Sequence, residues 1–225
     1  MRKVIALMLT AMVLVFAGCG NRTEAPSAET PLAENTSESQ QETNPPSDSA
    51  VHKDVTDEGE FKGHMHSNGE DFYLTGYTGD ADIVVVPDKI DGHTVTVIDF
   101  GAFLGKDITS ITLPDSVREI GDSAFQECKK LKEIHFGSGL KTVRSLAFAL
   151  CDSLETLVFP DGMKSLDTTV IAYDPALREV HVPASVEECD QFLDYATCPN
   201  VTVYAPAGSA AEKAANAANI PVTNE

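Results

Sequence analysis

The sequence has no tryptophan, and its five tyrosines are scattered along the chain instead of standing in a row. A polysaccharide-binding surface usually presents aligned aromatic side chains, so this composition weakens a glycan-binding interpretation. Basic residues are also scarce, because 16 Lys and Arg stand against 35 Asp and Glu and give a formal net charge of -19. That balance excludes the basic footprint of a nucleic-acid-binding protein and argues against electrostatic attachment to anionic lipid headgroups.

Motifs that carry catalysis are missing as well. The sequence has no Gly-x-Ser-x-Gly elbow, no glycine-rich phosphate loop and no His-Glu-x-x-His zinc motif. His64 and His66 could place two imidazoles on one strand face opposite Glu70 or Asp71, as a crude metal site. Two exposed polar residues on a hairpin explain the pattern more simply. We therefore predict a protein that is not an enzyme and that needs no cofactor or metal.

Apolar residues, by contrast, recur at a fixed step of 23 residues between Ile108 and Pro183. The repeated lines begin at Ile108, Leu131, Leu154 and Leu177, and the fourth and sixth positions read Ile111, Ile134, Leu157, Val180 and Leu113, Phe136, Phe159, Val182. A period of this length indicates a solenoid. Each turn of the solenoid, called a rung below, would bury its apolar edge against the neighbouring rungs.

The spacing within one line predicts a short strand. Positions four and six point to the same side of an extended segment, which turns positions three and five outward. Pro114, Pro160 and Pro183 follow the sixth position, where a residue without an N–H ends the strand. A second extended piece follows in each line, as in 117–120 and 140–143. The sequence thus predicts a mainly β solenoid of about five rungs.

Both ends of the solenoid carry their own signals. Asn68-Gly69 between two extended runs predicts a β-hairpin within residues 60–80, ahead of the repeats at 81–204. Such a hairpin would cover the open edge of the first rung. An Ala-rich stretch with Ser209 at its start predicts a short capping helix within 205–222.

The line from Ile108 to Cys128 resembles the repeat of the BspA-like, Treponema-type leucine-rich repeat family. That repeat reads roughly Leu-x-x-Ile-x-Ile-Pro-x-Ser-Val-x-x-Ile-Gly-x-x-Ala-Phe-x-x-Cys, and the resemblance extends over residues 60–222. Gly137 departs from the pattern in place of proline, and Val170-Ile171 stands in place of Ala-Phe. The resemblance implies a leucine-rich-repeat solenoid on a bacterial surface lipoprotein that binds other molecules without catalysis.

The N-terminus has the pattern of an export signal. Arg2-Lys3 precedes an uncharged run from Val4 to Ala17, which is shorter than the roughly 20 residues that span a bilayer. The run ends in Val15-Phe16-Ala17-Gly18-Cys19, which resembles a bacterial lipobox. We predict a signal peptide at 1–18 and a lipid on Cys19 as the only membrane attachment, with an ordinary signal peptide and an incidental cysteine as the alternative. Residues 19–59, which are acidic and polar, predict a disordered tether.

Four cysteines follow Cys19. Cys128 and Cys151 share one column, so their Cα atoms should lie about one strand spacing apart, which is within disulfide range. The family resemblance implies a ladder of buried thiols in this column, and parallel stacking does not favour the disulfide dihedral angle. We favour free thiols there, and leave a bond between Cys189 and Cys198 open.

The outward positions three and five form the best candidate binding face. Across four rungs they are Ser110, Thr112, Glu133, His135, Thr156, Val158, Glu179 and His181. Solenoids meet extended partners through regular arrays of this kind. The alternative is that these residues are polar only because they face water. The two acid–imidazole pairs, in the second and fourth of these rungs, could make binding pH-sensitive.

We predict an exported, non-catalytic protein, lipid-anchored to a bacterial membrane and facing its extracellular or periplasmic side. Its solenoid would bind a protein or matrix partner at the cell surface, as the family resemblance implies. The alternatives are a structural envelope scaffold without a host partner, an enzyme accessory or a glycan-binding module. The sequence leaves the oligomeric state open.

Overall fold

The computed structural model describes Asp54–Val55 and residues 59–225. The predicted signal peptide, Cys19 and most of the predicted tether lie outside the described residues. The described strands and helix, in chain order, are β1 (Asp54–Val55), β2 (Phe61–Met65), β3 (Asp71–Tyr77), β4 (Ile83–Val85), β5 (Lys89–Ile90), β6 (His93–Ile98), β7 (Ser110–Thr112), β8 (Glu119–Ile120), β9 (Glu133–His135), β10 (Thr142–Val143), β11 (Thr156–Val158), β12 (Ser165–Leu166), β13 (Glu179–His181), β14 (Thr202–Tyr204), α1 (Ala210–Ala217) and β15 (Val222–Thr223).

Two ladders of parallel strands run along the solenoid. The front ladder consists of β4, β7 and β9, followed by β11, β13, β14 and β15. Neighbours pair at a step of one rung, as Ile111 with Ile134 and Leu157 with Val180. The back ladder consists of β3, β6, β8, β10 and β12, and contains the second extended piece that the sequence predicted. The predicted solenoid is confirmed.

The core lies between the ladders, where the repeated apolar columns stack. Ile111, Leu157 and Val180 are fully buried, and Ile134 is 9% exposed. Behind them Phe103, Phe125 and Phe148 stack with ring centroids 5.1 and 5.5 Å apart. Each fully buried aliphatic or phenyl side chain contributes about 1.5–3 kcal/mol by leaving water, and this burial needs the neighbouring rung.

Rungs that depart from the sequence pattern keep the same path. The Phe148 N–H donates to the Val170 carbonyl at 3.0 Å, as the Phe125 N–H donates to the Ala147 carbonyl in the rung before. Val170 and Ile171 are fully buried. Because only an apolar side chain of moderate size is needed there, Val-Ile replaces Ala-Phe without changing the coil.

The predicted hairpin is present as β2 and β3, antiparallel from Phe61 to Tyr77. The Asn68 side-chain oxygen accepts hydrogen bonds from the N–H groups of Glu70 and Asp71, and Gly69 adopts a φ of 74° that its lack of a side chain permits. Strand β3 pairs with β6, so the hairpin covers the first edge of the back ladder.

A short strand lies within the segment that the sequence predicts as a tether. Strand β1 pairs antiparallel with β2, with Asp54 opposite His64 and Val55 opposite Gly63. The predicted tether at 19–59 therefore includes two residues that join the back sheet. Their charge and short length gave no strand period, but the unpaired edge of β2 supplies hydrogen-bond partners for them.

The C-terminal cap also matches its prediction, but the number of rungs does not. Ser209 is the N-cap of α1, and its hydroxyl oxygen accepts from the Glu212 N–H at 3.1 Å. After the helix, β15 pairs in parallel with β14 and adds a further turn. The front ladder thus has about seven turns, counting one for each of its strands, and the prediction of about five was too low. Because helix α1 interrupts the 23-residue period, the repeat did not predict the last turn, which contains β15.

Candidate interaction surface

The eight residues of the predicted binding face all lie on the outward side of the front ladder. None of them is buried, and they keep the one-rung register, with Ser110 beside Glu133 and Thr112 beside His135. Thr156 likewise pairs with Glu179, and Val158 pairs with His181. The strands hold these side chains in regular rows because alternate residues of each strand turn away from the core.

The two acid–imidazole pairs are present but differ in their surroundings. The His135 Nε2 atom lies 3.7 Å from the Glu133 carboxylate, and both side chains are well exposed. The His181 Nε2 atom lies 3.6 Å from the Glu179 carboxylate, and its side chain is only 26% exposed. The first pair is therefore freely available to a partner, whereas the second is partly enclosed.

Residues beyond the predicted set enclose His181. Its ring stacks on Tyr204 with centroids 4.4 Å apart, and its Nδ1 atom lies 3.2 Å from the Glu225 carboxylate. Tyr204 occupies position five of the next strand, so the repeat itself could have identified it. Glu225 follows the interrupting helix and has no place in the period, so the sequence offered no signal for it.

The front ladder is open at one interval of the described chain. Strands β9 and β11 follow each other at the repeat step, yet β9 pairs only with β7 and β11 only with β13. The Leu113 N–H donates to the His135 carbonyl at 2.8 Å, and the Phe159 N–H donates to the His181 carbonyl at 3.1 Å. Among the described residues, the equivalent bond from the Phe136 N–H to the Val158 carbonyl is missing. This interval is called the gap below.

Behind the gap the back ladder stays closed. Thr142 pairs with Ser165 and Val143 with Leu166, as in the preceding rung. The two rungs therefore separate only at their front strands. The opening is a wedge about 640 Å³ in volume, which lies within the size range of ligand pockets.

A local change in sequence coincides with the gap. Gly137 stands where the other lines have proline, and a Cβ atom on it would lie 2.2 Å from the Pro114 carbonyl oxygen. A Cβ atom on Gly139 would lie 2.0 Å from the Asp115 carbonyl oxygen. The turn after β9 thus packs more closely on the preceding rung than residues with a Cβ atom at positions 137 and 139 would allow. This close approach lies next to the open interval between β9 and β11.

The walls of the gap combine acidic, basic and apolar groups. They are formed by Lys132, Glu133, Ile134, His135, Phe136, Glu155, Thr156, Val158 and Pro160. Four of the predicted face residues are therefore brought together here, at the centre of the front ladder. Val158 is 56% exposed and gives this wall an apolar surface that a partner could cover.

A second apolar area lies at the first strand of the front ladder. Ile83 and Val85 are 68% and 65% exposed on the outward face of β4. They stand in register with Ser110 and Thr112, so the face changes from apolar to polar within one rung. This strand lies within the repeats predicted at 81–204, but its exposed apolar pair was not predicted as part of the face.

The cysteines are structural. The four described cysteines are buried free thiols. The Cys128 thiol donates to the Phe103 carbonyl at 3.0 Å, and the Cys151 thiol donates to the Phe125 carbonyl at 3.3 Å. Burial raises the pKa of Cys128 to about 12 and that of Cys189 to about 11, so these thiols stay protonated near neutral pH and are poor nucleophiles.

The described residues also lack a group of three or more His, Cys, Asp or Glu arranged to hold a metal ion. His64 and His66, which the sequence offered as a crude metal site, lie against Tyr73, and their ring centroids are 5.6 and 5.1 Å from the Tyr73 ring centroid. Within the described chain, no helix has the length and apolar character needed to cross a bilayer.

Comparison with known proteins gives matches over the solenoid. A family model described as the BspA type leucine-rich repeat region matches residues 96–207, in six copies. A leucine-rich repeat protein of T. pallidum shares 33% identity with this chain, over 66% of this chain and 70% of the other, with a TM-score of 0.61.

Two more distant structures share the fold alone. A leucine-rich repeat protein from Bacteroides ovatus is 23% identical, and the match covers 66% of this chain and 40% of the other with a TM-score of 0.55. The pneumococcal vaccine antigen PcpA is 19% identical, with 70% and 51% covered and a TM-score of 0.52. Comparison with curated proteins finds no significant match.

Proposed function

The chain belongs to the BspA-type leucine-rich repeat family, and from this we propose that it is a non-catalytic interaction protein of the cell surface. Its front ladder binds a protein or matrix partner through the residues that point outward. The single observation that carries this proposal is the regular outward array, which is at least partly exposed, is in register on each side of the gap, and opens into the gap at its centre. Flat arrays of this kind give solenoids large contact surfaces for extended partners.

The chemistry of the face limits the kind of partner. Glu133 and Glu179 each stand beside a histidine, and the formal net charge of the chain is -19. A partner with basic or neutral hydrogen-bonding groups suits this surface, whereas nucleic acid does not. The absence of tryptophan and of a row of exposed aromatic side chains on this face leaves a glycan partner with little to stack on.

The binding role is tested by substituting the face. The full chain carrying Cys19→Ser, which is expected to stay in solution because it lacks the proposed lipid, is passed over immobilised purified matrix proteins such as collagen, fibronectin and laminin. The variant with Glu133, His135, Glu179 and His181 all replaced by Ala should lose binding by at least about tenfold, since a few central contacts dominate most interfaces. A matched control replaces Asp122, Glu127, Lys129 and Asp152, which are exposed but lie away from the face.

Unchanged binding in the face variant, with its fold verified by circular dichroism, would reject the front ladder as the binding surface. Equal loss in the control would show that net charge and not the face determines binding. Absence of binding to every matrix protein would remove the matrix as the partner and leave the structural envelope scaffold as the better description.

We also propose that the protein is exported and held on its membrane by lipid on Cys19. Labelling of producing cells with radioactive palmitate should mark the wild-type protein, and Cys19→Ser should abolish the label and release the protein. Protease treatment of intact cells separates a surface protein from a scaffold inside the envelope. A surface protein is cleaved, whereas one that faces only the inner envelope survives.

A further inference from the structure

The gap presents main-chain groups that are paired elsewhere along the front ladder. At the paired intervals the position-six N–H donates to the next rung, as from Val182 to the Tyr204 carbonyl at 2.9 Å. The Lys132 carbonyl and the Glu155 N–H, which would pair across the gap, form no such bond among the described residues. Strand edges with free N–H and C=O groups are sites at which proteins receive extended peptides.

The walls of the gap favour a cation. Glu133 and Glu155 stand on opposite walls, and both are exposed. Lys132 and His135 are the basic residues of the walls, and the His135 Nε2 atom lies 3.7 Å from the Glu133 carboxylate. Carbonyl oxygens of the two strand edges add further acceptors. With a formal net charge of -19 on the chain, approach of an anion is opposed and approach of a cation is assisted.

The shape of the gap distinguishes between cations. The opening lies between two strands that remain neighbours, so it is a slot and not a round cavity. A guanidinium group is planar and carries five N–H donors, which suits several carbonyl and carboxylate acceptors around a slot. Its carbon stem can pack on Ile134, Phe136, Val158 and Pro160, which line the same opening. A lysine ammonium is compact and strongly hydrated, and it gains less from this shape.

We propose that the gap between β9 and β11 receives an arginine side chain from an extended segment of a protein partner. The segment lies across the front ladder, and its arginine enters the slot between Glu133 and Glu155. This inference rests on the proposed function, because it names the chemistry that a partner of the front ladder presents at its centre.

The probe is a short synthetic peptide of alternating threonine and valine with arginine at its centre, added to the full chain carrying Cys19→Ser. Backbone amide NMR signals are followed up to about 5 mM peptide, which detects dissociation constants in the millimolar range. Signals of Ile134, Phe136 and Val158 should shift. Peptides with lysine or citrulline in place of arginine should bind at least about threefold more weakly.

The matched variants separate the gap from general charge. Glu133→Gln with Glu155→Gln should weaken binding of the arginine peptide by about fivefold. Glu127→Gln with Asp152→Asn removes the same charge from exposed residues outside the gap, and should leave it unchanged. Equal effects in the two double variants would reduce the site to non-specific attraction.

Three results would overturn the inference. They are equal binding of the citrulline peptide, shifts confined to residues outside the gap, or no shift at the highest peptide concentration. Loss of matrix-protein binding in the four-alanine variant, together with any of these three results, would keep the front ladder as the binding surface and reject arginine as its ligand. Failure of the four-alanine test with specific arginine binding would keep the slot and reject the wider face.

Discussion

Asp174 occupies the column that carries Cys128 and Cys151 in the preceding rungs. It is fully buried, and its Oδ1 atom accepts a hydrogen bond from the Cys151 N–H at 2.6 Å. Its Oδ2 atom has no partner among the described residues. Burial raises the pKa of Asp174 to about 7, although the N–H groups of Cys151 and Ala172 act in the opposite direction. The rung therefore holds a carboxyl group whose protonated form is favoured by burial.

This carboxyl group should make the stability of the solenoid depend on pH. A buried acid with a raised pKa stabilises the fold below its unfolded pKa near 4, and that stability is lost as the pH rises toward about 7. Asp174→Asn keeps the acceptor for the Cys151 N–H and cannot ionise. We expect the free energy of unfolding of the wild type to fall relative to the variant by roughly 1–4 kcal/mol between pH 4 and 8.

The measurement is urea unfolding of both proteins across that pH range. The difference between the two proteins is diagnostic, because other acids such as Asp115 have a lowered pKa and oppose the trend in the wild type. Asp122→Asn, at an exposed carboxyl group that is not among the causes of the Asp174 shift, is the control. Parallel pH profiles for the wild type and the Asp174 variant would show that Asp174 does not ionise in the folded protein.

Left-handed backbone conformations recur at fixed positions of the rung. Glu127, Leu150 and Tyr173 have φ values of 62°, 62° and 61°, at the position where Gly105 has 66°. Residues with a Cβ atom adopt this conformation at a cost of about 1–2 kcal/mol. The coil keeps it because the N–H of the residue bonds to the next rung, as from Glu127 to the Ala149 carbonyl at 2.9 Å.

Glycine at position 127 should therefore stabilise the fold. Glu127 is exposed, so replacing it removes few contacts. Glu127→Gly should unfold with a free energy about 1 kcal/mol higher than Glu127→Ala, since both lose the side chain and only alanine retains the strain. Chemical denaturation of the two variants measures this difference. An alanine variant as stable as the glycine variant would mean that the turn is not left-handed.

At the scale of elements, helix α1 and strand β15 close the last rung. The Ser209 hydroxyl caps the helix, and the Glu212 carboxylate accepts from the N–H of Gly208, the residue before the N-cap, at 2.5 Å. Ala211 and Ala215 are buried, and the Val203 N–H donates to the Pro221 carbonyl at 2.9 Å. The cap thus covers β14, whose edge would otherwise be free.

Loss of the N-cap should loosen the cap without unfolding the central rungs. Ser209→Ala removes the acceptor for the Glu212 N–H and should cost about 1 kcal/mol, whereas Ser209→Asp keeps an acceptor and should cost much less. Hydrogen exchange of the α1 amides should accelerate in the alanine variant only. Equal acceleration at Phe125, in the middle of the array, would show that the cap and the central rungs unfold together.

At the scale of the whole molecule, repetition made most of the fold predictable. Each column must be apolar to stack, so Ile111, Ile134, Leu157 and Val180 revealed the coil, and alternation within each strand placed Glu133 and His135 outward. What repetition could not reveal is where one rung differs from the next. In the sequence Gly137 is only a departure from proline, but in the structure it permits a close approach to the preceding rung, next to the gap. Glu225 and β15 lie beyond α1, where the period stops.

The wall residues Lys132, Glu155 and Phe136 were missed for a related reason. A repeat pattern assigns every residue to a strand or a turn on the assumption that all rungs are spaced alike. Where that spacing breaks, Glu155 at position two of one line and Phe136 at position six of the preceding line become walls of the same opening. The candidate face was therefore predictable as a row of residues, but its centre was not.

Amide hydrogen exchange across the front ladder decides whether the gap exists, because the proposed site requires the ladder to be open between β9 and β11. We expect the Phe136 and Glu155 amides to exchange at least about tenfold faster than those of Leu113 and Phe159, which bond to neighbouring rungs at 2.8 and 3.1 Å. The amides of Val143 and Leu166, in the closed back ladder, should stay protected. If the Phe136 and Glu155 amides were as protected as those of Leu113 and Phe159, the front ladder would be continuous and the gap between β9 and β11 would not exist.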